Sequence, residues 1–443
     1  MKHGLYASAI ALLTVGCGGG GVAPADIVET VLDVSPPAPG QIVPGTYSGT
    51  ESPVTVDYSK FPWRTQASLA VDPTDDQVVY VGVEHEGIFK SVNGGVAWSR
   101  VTNNIPGRPN ADGSGPVYSE FYMTGVSPQN PGIVYTCLAA SPGTVASYPS
   151  SREGVYRSAD GGASWAHAVS STMNTAIYCV AVDPTNPNIV YAGCNGNTAS
   201  YTGADPNQYF NTIGSIYKST DGGSTWTELD TGFVPGLCVN YLEISPSDPR
   251  IVYASTFILV KVPGQASYYA STQYGVLKST DGGATWASKT NGMDLSQPGT
   301  RALWRTRVSP RDSNRLFACS YQSSMYYSAD GGESFQAPSG GGYKSVFVWD
   351  PNDAEGDRML AVDGMDVLKS EDGGATFSVW GVLPYEARST TPGIPPTVQI
   401  SDMEWSRQDP GVVYMSGSYG RVYKSADGGV SWATMLTKDS LPD

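Results

Sequence analysis

Short apolar runs recur along this chain, and they come in a fixed order. Upstream of each glycine pair lies a run such as Gly87-Ile-Phe-Lys90 or Gly275-Val-Leu-Lys278. Before it comes another, for example Val78-Val-Tyr-Val81, Ile189-Val-Tyr-Ala192 and Ile251-Val-Tyr-Ala254. These runs are too short for helices and rich in β-branched and aromatic residues, so they read as strands. A third run precedes a proline-marked turn at Asp72-Pro73, Ser127-Pro128, Asp183-Pro184, Ser245-Pro246, Ser309-Pro310 and Asp350-Pro351, loosening in the last copy to Trp405-Ser406 before Asp409-Pro410. A fourth carries an aromatic residue just past the glycine pair. The unit is therefore four antiparallel strands.

One segment fixes the number of units. Ser91-Val-Asn-Gly-Gly-Val-Ala-Trp98 returns as Ser158 to Trp165, Ser219 to Trp226, Ser279 to Trp286, Ser328 to Phe335, Ser370 to Phe377 and Ser425 to Trp432, with Asp in place of Asn93 in every later copy. The residue types suit a hairpin turn. The Asp carboxylate can accept backbone N–H groups two residues on, with Asn93 keeping the acceptor oxygen in the first copy, the glycines take positive φ, and the aromatic folds back on the sheet. Seven four-stranded sheets in tandem predict an all-β chain folded as a single seven-bladed β-propeller over residues 61–443, in which radial packing buries both faces of each sheet and ring closure protects the edges.

These segments are the Asp boxes of the repeat loosely called BNR, and the chain resembles bacterial Asp-box propellers over roughly residues 62 to 437. The resemblance covers sialidases, xyloglucan-degrading endoglucanases and sortilin-type receptors, so it implies a fold before it implies an activity. Val182-Asp-Pro-Thr-Asn-Pro-Asn-Ile-Val-Tyr-Ala-Gly193 is similar to a run of the xyloglucan-degrading enzymes. That family places its cleft between two propellers with one catalytic Asp from each. One propeller is legible here, so those residues are not carried over. The sialidase resemblance implies an Arg-Ile-Pro motif, and this chain has none.

Seven copies of a box in one chain argue for turn stabilisation and against a catalytic or calcium role, because a single site needs no seven-fold copy. Asn110 to Ser114 and the acidic run Asp350 to Asp357 carry fragments of calcium loops without the full spacing, and no metal or cofactor is expected.

The first residues have a different pattern. Met1-Lys-His3, an apolar run from Leu5 to Val15 and then Gly16-Cys17 resemble a bacterial lipoprotein signal, which implies cleavage after residue 16 and acylation of Cys17. Leu13 lies one place from the usual position, and an ordinary signal peptide is the alternative. Residues 17–60, with Gly18 to Gly21 and Ser35-Pro-Pro-Ala-Pro-Gly40, read as a flexible tether. The expected location is the bacterial envelope, at the outer membrane or cell surface, with membrane contact through the lipid alone; secretion is the alternative. In that compartment Cys179 and Cys194 are candidates for a disulfide, with buried free thiols as the other reading.

Composition narrows the partners. Lys and Arg number 26 against 41 Asp and Glu, a net charge of −15 that repels a phosphate backbone and excludes nucleic acid as partner. Three His leave little for His-rich metal sites. Boxes recur about every 56 residues, above the 40 to 45 of compact blades, and the surplus lies in loops on the rim opposite the boxes. Those loops are Ala139 to Glu153, Asn195 to Gly214 and Ser255 to Tyr274 within units, and Asn103 to Phe121 and Leu383 to Asp402 between them.

Tyrosines crowd these loops. Tyr201, Tyr209, Tyr268, Tyr269 and Tyr274, with Tyr118, Tyr122 and Tyr148, offer flat faces with a polar edge, suited to sugar rings and equally to loop packing or a protein surface. Charged candidates on this rim or along the channel are Arg64, Glu84, His85, Glu86, Glu120, Arg301, Arg305, Asp363, Asp366, Asp402 and Glu404. Glycoside hydrolysis needs two carboxyl groups about 5 to 10 Å apart, for which Glu84, Glu120, Asp363 and Glu404 are the candidates, with His85, Arg64 and Arg301 as ligand contacts. The expected function is binding, with hydrolysis as a further candidate, of an extracellular polysaccharide. The alternative is a non-catalytic envelope scaffold for adhesion or assembly that binds other proteins.

Overall fold

A computed structural model describes residues 67–84, 86–105, 107–109, 116–117, 120–139, 153–169, 177–194, 214–232, 237–261, 268–270, 275–294, 303–320, 324–340, 346–384, 400–437 and 440–442. Seven antiparallel sheets follow one another along the chain as the blades of a propeller, most of them four-stranded. Blade 1 runs Ala67–Val71, Val79–Val83, Gly87–Ser91 and Ser99–Arg100 from the axis outward. The inner strands of blades 2 to 7 are Glu120–Val126, Ile177–Val182, Leu237–Ile244, Leu303–Val308, Val346–Trp349 and Ile400–Trp405. Blade 5 departs from the four-strand plan. Its outer strand shrinks to a single bridge between Tyr327 and Gln336.

The boxes work as the residue types dictate. In each, the Ser hydroxyl donates to the Asp or Asn oxygen two residues on and accepts the N–H of the second glycine; for Ser279 the distances are 2.8 Å to Asp281 and 2.8 Å to Gly283. The paired glycines have positive φ, from 68° at Gly94 to 95° at Gly429, where a Cβ would clash with the backbone. The N–H of the first glycine donates to a carbonyl of the proline-marked turn in all seven blades: Gln77, Gly132, Asn188, Arg250, Asn314, Asp357 and Gly411. Box and proline turn thus share one rim. Chain direction then sends the connections between second and third strands, and those between blades, to the other rim.

Blades are locked to one another by a repeated contact. Tyr191 of the second strand and Lys218 of the third strand in blade 3 both donate to the carbonyl of Gly282 in the next box, each at 2.7 Å. Tyr80 and Lys90 do the same to Gly161, and Tyr253 and Lys278 to Gly331. The junction of blades 5 and 6 has Phe317 and Tyr327 at these places, and Arg315 instead pairs with Asp357 at 2.7 Å.

The ring closes without strand exchange, because blades 1 and 7 each use four consecutive strands. Leu69, Val79, Val81 and Val83 pack on Val412, Tyr414 and Val422, and Tyr414 donates to the Asp76 carbonyl at 2.9 Å.

Two expectations are corrected. Cys179 and Cys194 are free thiols, as are Cys137, Cys238 and Cys319. The strands carrying Cys179 and Cys194 do pair, but with Cys179 opposite Gly193 the two side chains leave opposite faces of the blade. Cys194 enters the core toward blade 2 and Cys179 the core toward blade 4. The surplus residues are also not all loop. The second strand of blade 4 continues to Lys261 and pairs with Tyr268–Ala270, and Arg108–Pro109 pairs with Pro116–Val117.

Candidate functional site

The rim opposite the boxes holds three of the four carboxylates expected to be catalytic. Glu84 ends the second strand of blade 1 in a short turn closed by Val83 and Gly87, and its side chain is buried. Glu120 opens the inner strand of blade 2, paired with Ala139. Asp363 pairs with Asp366 across a two-residue turn, with Gly364 at φ 62° and Met365 between them; Asp363 is half-buried and Asp366 exposed. The Lys261 to Tyr268 hairpin of blade 4 rises on the same rim and carries Tyr268 and Tyr269 in its returning strand. Cys17, Arg64, His85, Arg301, Tyr201, Tyr209 and Tyr274 lie outside the described residues.

Glu404 stands elsewhere. It is the penultimate residue of its inner strand, toward the box rim, while Glu84 lies just beyond Val83 at the opposite end. The Leu69 N–H donates to Asp402 at 3.3 Å, which aligns the two inner strands. With Ala67 opposite Val83, Glu84 and Glu404 are then about five residues, or roughly 16 Å of strand rise, apart along the axis. They do not face one glycosidic bond.

Along the axis the structure gathers a different set. Arg305 and Arg307 leave the inner strand of blade 5, pass the inner edge of blade 6 and reach blade 7. Arg305 sits 3.0 Å from Asp402 and donates to the Ser401 carbonyl at 3.1 Å. Arg307 donates to Glu404 at 2.8 Å and to the Met403 carbonyl at 3.1 Å, and its Nε lies 3.9 Å from Glu243 of blade 4. Blade 6 offers nothing charged to stop them, since its inner strand is Val-Phe-Val-Trp. Tyr241 lies under the Arg305 guanidinium, 5.0 Å from ring centre to charge.

Burial sets the protonation of this cluster. It pushes Glu243 up to about 7 against the pull of Arg307, with the Glu404 charge adding to the rise. Burial also raises Glu404 although Arg307 opposes it, with Asp402 contributing. For Arg305 and Arg307 burial is the largest influence and works the other way, but the neighbouring groups together, led by Asp402 and by Glu404 respectively, outweigh it and both guanidinium groups stay charged.

Glu243 escaped the sequence reading. The signal was there: Tyr241 and Glu243, Arg305 and Arg307, and Asp402 and Glu404 each occupy alternate positions of an inner strand and so share a face.

The carboxylates of the acidic run in blade 6 are engaged by protein donors. Asp350 accepts from Asn352 N–H and from Arg358, Asp353 accepts the N–H groups of Asp357 and Arg358, and Asp357 pairs with Arg315.

Comparison with known proteins gives relatives by sequence. A xyloglucanase of Hypocrea jecorina is 28% identical over 278 residues, 54% of this chain and 29% of that protein. The chain is an Asp-box propeller related to the xyloglucanases. Xyloglucanase Xgh74A of Acetivibrio thermocellus is 26% identical over 235 residues, covering 49% of this chain and 24% of the enzyme. The propeller thus spans less than a third of the curated relatives it matches. No family model matches it. Among solved structures, YCF48 from Cyanidioschyzon merolae is similar at 13% identity with a TM-score of 0.47, covering 83% of this chain and 97% of that one. That match is too loose to carry residue correspondences.

Proposed function

We propose that this propeller binds a xyloglucan-like polysaccharide along the rim opposite its Asp boxes, as an envelope protein tethered through Cys17. The sequence relationship to xyloglucanases over half the chain carries the reading. The second strands of blades 2, 3 and 4 end toward that rim, each followed in sequence by a long tyrosine-bearing connection, and long connections in a compact domain tend to serve binding. Tyr268 and Tyr269 stand on a paired strand, which offers a firmer platform than a free loop.

Purified protein lacking residues 1–40 is expected to be retarded in gels containing xyloglucan. Tyr268→Ala or Tyr209→Ala is expected to weaken binding about 3- to 10-fold, the worth of one stacked ring. Migration unchanged across a broad glycan panel would overturn the reading and favour a protein-binding scaffold. Glu84, Glu120 and Asp363 are the rim's candidates for an acid and a base. New reducing ends released by the wild type and lost in Glu120→Gln would make the protein an enzyme; binding without release would make it a lectin.

A further inference from the structure

The axial cluster is remote from the proposed glycan rim, and its arrangement has a consequence of its own. We propose that Glu243, Arg307 and Glu404, flanked by Arg305 and Asp402, form a proton-sensitive clasp across the axis, tighter with Glu243 protonated and looser with it ionised.

The geometry supplies the asymmetry. One guanidinium serves two carboxyl groups from different blades, with Glu404 in hydrogen-bond contact at 2.8 Å and Glu243 at 3.9 Å. Because both touch a single planar group, their Oε1 atoms lie within about 9 Å of each other. A negative charge at Glu243 is opposed chiefly by burial and then by Glu404, and the attraction of Arg307, with smaller ones from Arg305 and Arg407, offsets this only in part. A protonated Glu243 adds no charge to the cluster. Side-chain exposures of 17% for Glu243 and 28% for Glu404 admit enough water for protons to exchange.

Glu404, raised by burial as well, keeps its 2.8 Å bond to Arg307, so Glu243 is the group that loses its charge first as pH falls. Blade 5 faces it with Arg305 and Arg307, and blade 7 with Glu404 and Arg407. On its own strand Tyr241 is held protonated by burial. Tyr253, opposite Glu243 in the sheet, turns its hydroxyl to the carbonyls of Ser313 and Gly331. From blade 3 the Cys179 thiol is pushed well up by burial and stays neutral.

The direction of the pH effect follows. Glu243 is raised in the folded protein from its ordinary 4.5 to about 7. Its contribution to stability is complete below the ordinary value and is lost as pH rises through about 7. The clasp therefore slackens on the alkaline side.

Thermal unfolding of the full-length protein between pH 5 and 8.5 tests this. The wild-type Tm is expected to fall as pH rises from about 5 to about 7 and to level off above that. Glu243→Gln, a neutral mimic, should remove that fall and melt no lower than wild type at pH 8. Glu404→Gln should move the fall to lower pH, because Glu243 then has Arg307 to itself. A flat wild-type profile, or the same fall in Glu243→Gln, overturns the proposal. Should Glu243→Gln fail to fold, carbon-detected NMR titration of the wild-type carboxyl groups decides: a Glu243 midpoint near 7 supports the clasp, and one in the ordinary carboxylate range overturns it.

Discussion

A carboxylate at the surface normally has little to hold, yet the box aspartates are each fully occupied. Asp281 accepts the Thr285 N–H at 2.9 Å, the Thr285 hydroxyl at 2.6 Å and the Ser279 hydroxyl at 2.8 Å. The Thr285 hydroxyl, followed by its N–H, pulls Asp281 down to about 2, and Asp221 is held there in the same way by Thr225. A value below the ordinary 3.8 means stability present above that value and lost as pH falls toward 2. Asn93 makes the corresponding bonds to Ala97 N–H and the Ser91 hydroxyl without a charge. Asp281→Asn is therefore expected to lower Tm modestly at pH 7 and to make its decline between pH 4 and 2 shallower, read by circular dichroism. An unchanged acid slope would show that the box charge is irrelevant to stability. The turn and its positive-φ glycines were legible beforehand because they are local, whereas the accepted N–H lies four residues on rather than the expected two, and the Ser and Thr hydroxyl bonds were not read from the sequence.

Between elements, the local rules run out. The sequence announces a Tyr in most second strands and a Lys or Arg in most third strands, but not that both converge on one carbonyl of the next blade. That convergence depends on how blades pack, which no window of a few residues contains. The Tyr191 ring is buried while its hydroxyl meets Gly282, so Tyr191→Phe removes a bond without changing the packing. It is expected to cost about 1 kcal/mol in denaturant unfolding. A second loss of similar size in the Lys218→Met background would mean that the two donors act independently; a larger one would mean that they share the carbonyl competitively. The same limit explains the cysteines. Nearness in a hairpin suggested a bridge, but alternation along a strand sends neighbours to opposite faces and separates the two thiols.

At the scale of the molecule, the seven-fold repeat specified the ring, and what it could not specify is what lies on the axis and on the rims. Arg305, Asp402 and Glu404 were among the charges expected on the rim or along the channel, Arg307 was not, and because the acids follow about a hundred residues after the arginines only the closed ring pairs them. The rims were separable in advance because strand order alone assigns each connection to one end. The carboxylates were only partly sorted: Glu84, Glu120 and Asp363 share the rim, whereas Glu404 belongs to the axial clasp near the opposite end. The proposed function rests on that division of the molecule into a rim of box turns and an opposite rim. Hydroxyl-radical footprinting with and without xyloglucan oligosaccharide tests it most directly. The account predicts protection of residues 195–214 and 255–274 with the seven box turns unchanged; protection at the box turns instead, or none anywhere, would contradict it.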